Sequence, residues 1–339
     1  MERYGSGDND AEDDEGRAWL TIVTRDVLKD GVPYGGPRYH DGRIPVGLHA
    51  DGTGEAEYVA VDEVGARSGL VTGDPGSGKT ALLEAIAMAK RHSGVWKVLF
   101  GDGDPEGGSS PTLNRIADWP EAGPHGVMRQ LRAVEALIKV RSLLKPTLVA
   151  AAGGELRQMR PEEASTAHGV REIRPCRSFP GYVWILDEFN RLANDPVLKE
   201  DNFIGRMENV VRIGRKYGVV LLVGTQSLLG ADYGGSTPLR AYLAARNAFI
   251  MRSTNRSEQH TLNGVAVAPG TLPKGGGYAY AVGSGRLSLL RVAWSPTMSD
   301  WAAEFPVCTG DPDWSSRSQG TARRATTMPA RRSWSACSG

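Results

Sequence analysis

The sequence predicts an α/β fold with a mainly parallel sheet flanked by helices and closed by a C-terminal β-hairpin. Three observations predict it. A glycine-rich segment, Gly73-Asp74-Pro75-Gly76-Ser77-Gly78-Lys79-Thr80, lies between a short apolar run and a helix-periodic stretch. Short apolar runs then alternate with helical periodicity along the middle of the chain. One of those runs, Tyr182–Leu186, ends in two adjacent acids, Asp187 and Glu188.

The elements follow in order. Gly69–Thr72 reads as a short buried strand, and Thr80–Arg91 as a helix with Leu82, Leu83, Ile86 and Ala87 on one face. Trp96–Phe100 is the second strand. His125–Leu144 is the longest helix, with Val127, Leu131, Val134 and Ile138 at helical spacing and Pro146 beyond its end. Tyr182–Leu186 and Val219–Val223 are buried strands on either side of a helix over Phe203–Lys216, which Gly218 caps. Ala248–Met251 is a further strand. Tyr278–Val282 and Leu287–Trp294, joined by Gly283-Ser284-Gly285, form the closing hairpin. Strands without alternation imply a sheet covered on both faces.

The ends differ from this pattern. Residues 1–43 are expected to be a largely flexible lead, with seven acids before Gly16 against one arginine, Arg3. Residues 306–339 read as a basic low-complexity tail in which nothing after Asp313 is acidic. One domain over 44–305 remains, with a poorly periodic insertion at 150–180.

Composition narrows the function. A formal net charge of +1 supplies no global field toward nucleic acid or acidic lipid, so such a contact requires a local patch. The 3 cysteines are far apart and form no CxxC pair, which argues against a zinc site and against a disulfide framework. No signal-peptide pattern opens the chain, and no apolar run approaches the length of a membrane span. A soluble, cytoplasmic chain with no transmembrane segment of its own is expected.

The segment from Gly73 to Thr80 satisfies G-x-x-x-x-G-K-[ST] at every position. Its glycines let backbone N–H groups turn toward a phosphate chain, and the helix that follows adds its positive end. Lys79 would bridge the β- and γ-phosphates of ATP, and the Thr80 hydroxyl would ligate Mg²⁺. Asp187, at the end of an apolar strand, has the form of the acid that holds Mg²⁺. Glu188 next to it suits a general base for water, which points to hydrolysis. Gln226, in Gly224-Thr225-Gln226-Ser227 after Val219–Val223, has two readings: a contact to the γ-phosphate or the attacking water, or a plain strand-ending turn.

Over roughly Ile44 to Trp301 the chain resembles the FtsK/SpoIIIE branch of the FtsK–HerA motor ATPases, and among them the plasmid-transfer proteins of mycelial actinobacteria. The resemblance rests on Pro45-Val46-Gly47-Leu48, the loop at Gly73–Thr80, Asp104-Pro105-Glu106-Gly107-Gly108, the segment ending in Asp187-Glu188, and Arg215-Lys216-Tyr217-Gly218 running into Gly224-Thr225-Gln226. It implies a RecA-like P-loop core and a hexameric ring that moves double-stranded DNA at the expense of ATP. It further implies a trans-acting arginine, for which Arg252 and Arg256 are the leading positions and Arg246 the third; each can equally be a surface or locally paired arginine. Arg212, Arg215 and Lys216 are either a DNA-phosphate patch or a solvated helix face. Glu106 departs from the family's usual Asp-Pro-Lys. No winged-helix segment and no membrane-spanning lead is recognisable, so membrane attachment would need an anchoring partner protein. Two alternatives accompany this reading: a related motor for protein secretion, and an ATP-binding regulatory module without motor work.

Overall fold

The computed structural model describes residues 26–255, 258–283 and 286–306. A ten-stranded sheet forms its centre. The strands are β1 (Arg43–His49), β2 (Glu55–Val59), β3 (Gly69–Thr72), β4 (Trp96–Asp102), β5 (Trp119–Ala122), β6 (Gly181–Asp187), β7 (Val219–Thr225), β8 (Ala248–Met251), β9 (Tyr278–Gly283) and β10 (Arg286–Val292). Their order is β2-β1-β10-β9-β8-β3-β7-β6-β4-β5. From β8 to β5 every neighbour is parallel. The four strands beyond β8 continue the sheet antiparallel. The closing hairpin and the parallel core, β5 excepted, are those the sequence predicts.

The helices are α1 (Lys79–His92), α2 (Pro111–Ile116), α3 (Gly123–Leu144), α4 (Phe189–Asn194), α5 (Pro196–Glu200), α6 (Phe203–Gly214), α7 (Thr237–Ala244) and α8 (Met298–Ala303). Strand alternation sorts the core between two layers. Val183 and Ile185 pack with Leu82, Leu83 and Ile86 of α1 on one face. Trp184 and Leu186 pack with Leu131 and Val134 of α3 and Met207 and Val210 of α6 on the other. Each such side chain stabilises the fold by about 1.5–3 kcal/mol on burial. Within the second layer the Trp184 indole donates to Gln130 Oε1 at 2.7 Å, and Gln130 Nε2 donates to the carbonyls of Phe100 and Trp119, both at 2.9 Å. A fully buried polar group is thereby satisfied and α3 is fixed to the sheet.

Register decides where the chemistry sits. Asp187 lies opposite Asp102, and Thr225 opposite Thr72, so the C-terminal ends of β3, β4, β6 and β7 are level. That edge is where parallel sheets present their loops to ligands.

Several features depart from expectation. Arg43–His49 and Glu55–Val59 are paired strands, although Pro45 and Gly47 break the alternation of the first; the register shifts between those two residues. The α-helix expected over 203–216 ends at Gly214 and tightens into a 3₁₀ turn at Arg215–Tyr217 before the left-handed Gly218. Residues 26–42, expected within the flexible lead, run along the sheet: Tyr34 N donates to the Trp294 carbonyl at 3.0 Å, and Trp294 N to that of Val32 at 2.9 Å. The 150–180 stretch contributes to a small hairpin pairing Leu148–Ala150 with Leu156–Gln158, which covers a minor core of Leu148, Leu156, Ile173 and Cys176. No helix among the described residues is long and apolar enough to cross a membrane.

Candidate active site

The glycine-rich loop leaves β3 with Gly73 N donating to the Thr225 carbonyl at 3.2 Å. Asp74 latches it sideways: its carboxylate accepts from Thr254 N at 2.5 Å, while its own N–H reaches the Arg252 carbonyl at 3.3 Å. Pro75 and Gly76 form the exposed tip, and Ser77 turns inward, its N–H donating to the Asp74 carbonyl at 3.0 Å. Gly78 caps α1 at φ 106°, a conformation that a side chain would strain. Just before β9, Gly277 N donates to the Ser77 carbonyl at 2.7 Å, so the loop is braced on both sides.

Lys79, the first residue of α1, is 7% exposed and projects toward the end of β6. Its ammonium donates to Asp187 Oδ1 at 2.5 Å and Glu188 Oε1 at 3.1 Å. Burial pulls the Lys79 pKa down, but the two carboxylates outweigh it and hold the ammonium above its ordinary value. Thr80 Oγ1 donates to Asp187 Oδ2 at 3.3 Å. Asp187 is 1% exposed and also accepts from Glu188 N at 2.9 Å. Beneath it, a Cβ on Gly224 would stand 2.5 Å from Asp187 Oδ1, so only glycine fits at that point of β7.

Glu188 takes the left-handed conformation, φ 49° and ψ 40°, at the start of α4. Such a backbone costs a non-glycine residue about 1–3 kcal/mol and is kept where the surroundings determine it. Here the turn aims the carboxylate back at the loop, where Gln226 Nε2 donates to Glu188 Oε2 at 3.1 Å. Lys79, Thr80, Asp187, Glu188 and Gln226 thus converge on one point.

The other predicted residues lie elsewhere. Arg252 meets the loop through its backbone, while Arg246 precedes β8 at the opposite edge of the sheet, 3.9 Å from Asp62. Arg256 lies outside the described residues. Two residues escaped the sequence reading. Arg191, on α4, stands 4.0 Å from Glu188 Oε2 and 3.7 Å from Asp104 Oδ1 at the mouth of the site; only its spacing of three from Glu188 could have signalled it. Asp102, fully buried, accepts from Asp104 N, Ser109 N and Ser109 Oγ at 2.9, 3.0 and 2.6 Å, and so shapes the loop after β4.

The donor set suits a hard divalent cation. Thr80 and Asp187 offer oxygen only, the chemistry that Mg²⁺ selects when it shares its shell with phosphates and water. Among the described residues no cluster of three or more His, Cys, Asp or Glu side chains could hold a metal by itself.

The fold has solved counterparts. The cytoplasmic domain of the Thermomonospora curvata type VII secretion ATPase EccC aligns at TM-score 0.55 and 21% identity, over 82% of this chain and 32% of its own. The conjugation coupling protein TcpA of pCW3, in its monomer form with ATPγS, aligns at 0.55 and 14%, over 78% and 69%. ATPases 2 and 3 of T. curvata EccC, in complex with a signal sequence peptide, align at 0.52 and 18%, over 78% and 43%. The fold is that of these RecA-like P-loop ATPases. The chain spans about a third of the length of the first. No family model matches the sequence, and no curated protein matches it significantly.

Proposed function

We propose that this chain is an ATP-hydrolysing motor domain that moves double-stranded DNA during conjugative transfer of a plasmid or mobile element, acting in the cytoplasm as a homo-oligomer, a hexamer by resemblance. The convergence of Lys79, Thr80, Asp187, Glu188 and Gln226 carries the hydrolytic part of this reading. DNA as the load rests on the sequence resemblance and on the likeness to a conjugation coupling protein.

The chemistry follows from the contacts. A triphosphate on the loop competes for Lys79, whose ammonium passes from Glu188 to the β- and γ-phosphate oxygens. Glu188, released from that ion pair and oriented by Gln226, accepts a proton from water. The water oxygen bonds to the γ-phosphorus, the bond from that phosphorus to the β,γ-bridging oxygen breaks, and ADP and phosphate leave. Thr80 and Asp187 would hold Mg²⁺, which would supply neutralisation of phosphate charge. Arg252, Arg256 and Arg246 remain the candidates for an arginine acting on a neighbouring subunit's site.

A second reading, a motor for polypeptide, is favoured by the likeness to secretion ATPases, one of them described with a signal sequence peptide. One titration separates the two: steady-state ATP turnover against double-stranded plasmid DNA and against polypeptide, with mass measured in a non-hydrolysable ATP analogue. The DNA reading predicts severalfold stimulation by DNA and a hexamer. Stimulation by polypeptide alone supports the second reading, and a monomer that binds ATP with negligible turnover marks a regulatory module.

A further inference from the structure

On the side of the phosphate loop away from the carboxylates, the structure holds a cavity of about 810 Å³. Gly76, Gly78 and Ala81 form its inner wall, and Asp187, Glu188 and Gln226 take no part in it. A nucleotide whose γ-phosphate meets Lys79 and Glu188 therefore has this cavity at the other end of its phosphate chain. The volume lies within the range that encloses a mononucleotide-sized ligand.

The outer wall is Pro33 and Trp294. Trp294 is 56% exposed, the only tryptophan among the exposed large apolar side chains of the described residues. Its backbone is fixed by the reciprocal hydrogen bonds with Val32 and Tyr34, so a rigid support presents the indole. An aromatic face held in this way is a stacking platform for a base.

Arg291 organises the wall rather than reading the ligand. Nη1 donates to the carbonyls of Leu28 and Lys29 at 2.5 and 3.1 Å, Nε to that of Gly276 at 3.3 Å, and the guanidinium lies 4.9 Å from the Tyr278 ring centroid. It ties residues 28–29 to the Gly275–Gly277 turn that braces the loop. Asp30 is then the one charged side chain of the wall whose polar atoms are uncommitted, and a carboxylate only accepts.

We propose that this cavity is the nucleoside subsite of the same site, with the base stacked on Trp294, residues 30–33 as its outer wall, and Asp30 facing a hydroxyl or amino donor. This rests on the nucleotide reading above. Stacking with one acceptor discriminates weakly between bases, so ATP and GTP should bind within roughly tenfold of each other.

The test is isothermal titration of the full chain and of Trp294→Ala and Trp294→Phe, in Mg²⁺, with ATP, GTP and inorganic tripolyphosphate. The proposal expects Trp294→Ala to weaken ATP about tenfold or more, Trp294→Phe to recover most of that loss, and tripolyphosphate to bind all three alike. Unchanged ATP affinity in Trp294→Ala overturns it, as does an equal loss for tripolyphosphate or a GTP affinity a hundredfold below that for ATP. Wild-type protein that binds neither ATP nor tripolyphosphate overturns the nucleotide reading itself, and the subsite with it.

Discussion

Lys90 and Lys79 lie on the same helix, and their surroundings drive them in opposite directions. Lys79 is buried beside two carboxylates, which keep it charged. Lys90 is fully buried, and its Nζ has no hydrogen-bond partner. The amine instead lies 3.4 Å from the centroid of the Trp96 ring and 5.4 Å from that of Tyr58. A cation over indole is attractive, but full desolvation outweighs it and holds the Lys90 pKa well below the ordinary 10.5. The unfolded chain then binds a proton that the folded chain refuses. Stability is therefore complete only above pH 10.5 and falls as the pH is lowered toward the depressed pKa. Lys90→Met should gain about 1 kcal/mol or more at pH 7, with the gain shrinking as pH 10.5 is approached. Urea denaturation of both proteins at the two pH values checks it. A variant less stable at pH 7 would show that the aromatic contacts dominate.

Between elements, Glu84 links α1 to the loop that follows β4. Ser110 caps α2 by accepting from Leu113 N at 2.9 Å and donates its hydroxyl to Glu84 Oε1 at 2.8 Å. Burial raises the Glu84 pKa; the Ser110 hydrogen bond opposes this and the charge on Asp187 adds to it. A carboxyl with a raised folded pKa stabilises fully below its unfolded value, and that contribution is lost as pH rises through the folded one. Glu84→Gln keeps an acceptor for Ser110 and removes the buried charge. Its melting temperature should exceed wild type by about 2–4 °C at pH 7, with the difference fading toward pH 4; a deficit at pH 7 would contradict this. β6 and β7 were legible because both faces are covered, so their apolar runs are unbroken. β1 was hidden by Pro45 and Gly47 at its bulge, and β5 by Pro120 and Glu121 on the sheet's outermost strand. Residues 26–36 carry no periodicity at all. Backbone hydrogen bonds hold them, together with Arg291, which lies 263 positions from Leu28. In the site, Lys79, Thr80, Asp187 and Glu188 were readable because a phosphate loop and an acid-ended strand are local patterns. The Gln226–Glu188 contact required the register of β6 against β7, and Arg191 has no pattern of its own.

At the scale of the molecule, the loop joins the parallel and antiparallel halves of the sheet. Gly73 meets β7, Asp74 meets the exit of β8, and Ser77 meets Gly277 at the entry to β9. Mg-ATP that binds this loop and not the unfolded chain should, at one hundred times its Kd, stabilise the fold by about 2.7 kcal/mol. Thermal melts with and without the nucleotide read this directly, and an unshifted melt at saturation would contradict it. ATP hydrolysis is expected at this loop together with Asp187 and Glu188. The most direct measurement compares Mg-ATP binding and single-turnover hydrolysis in wild type and Glu188→Gln. Glu188→Gln should bind ATP within a few-fold of wild type and hydrolyse it about 10²–10⁴ times more slowly. Hydrolysis by Glu188→Gln at the wild-type rate would contradict it.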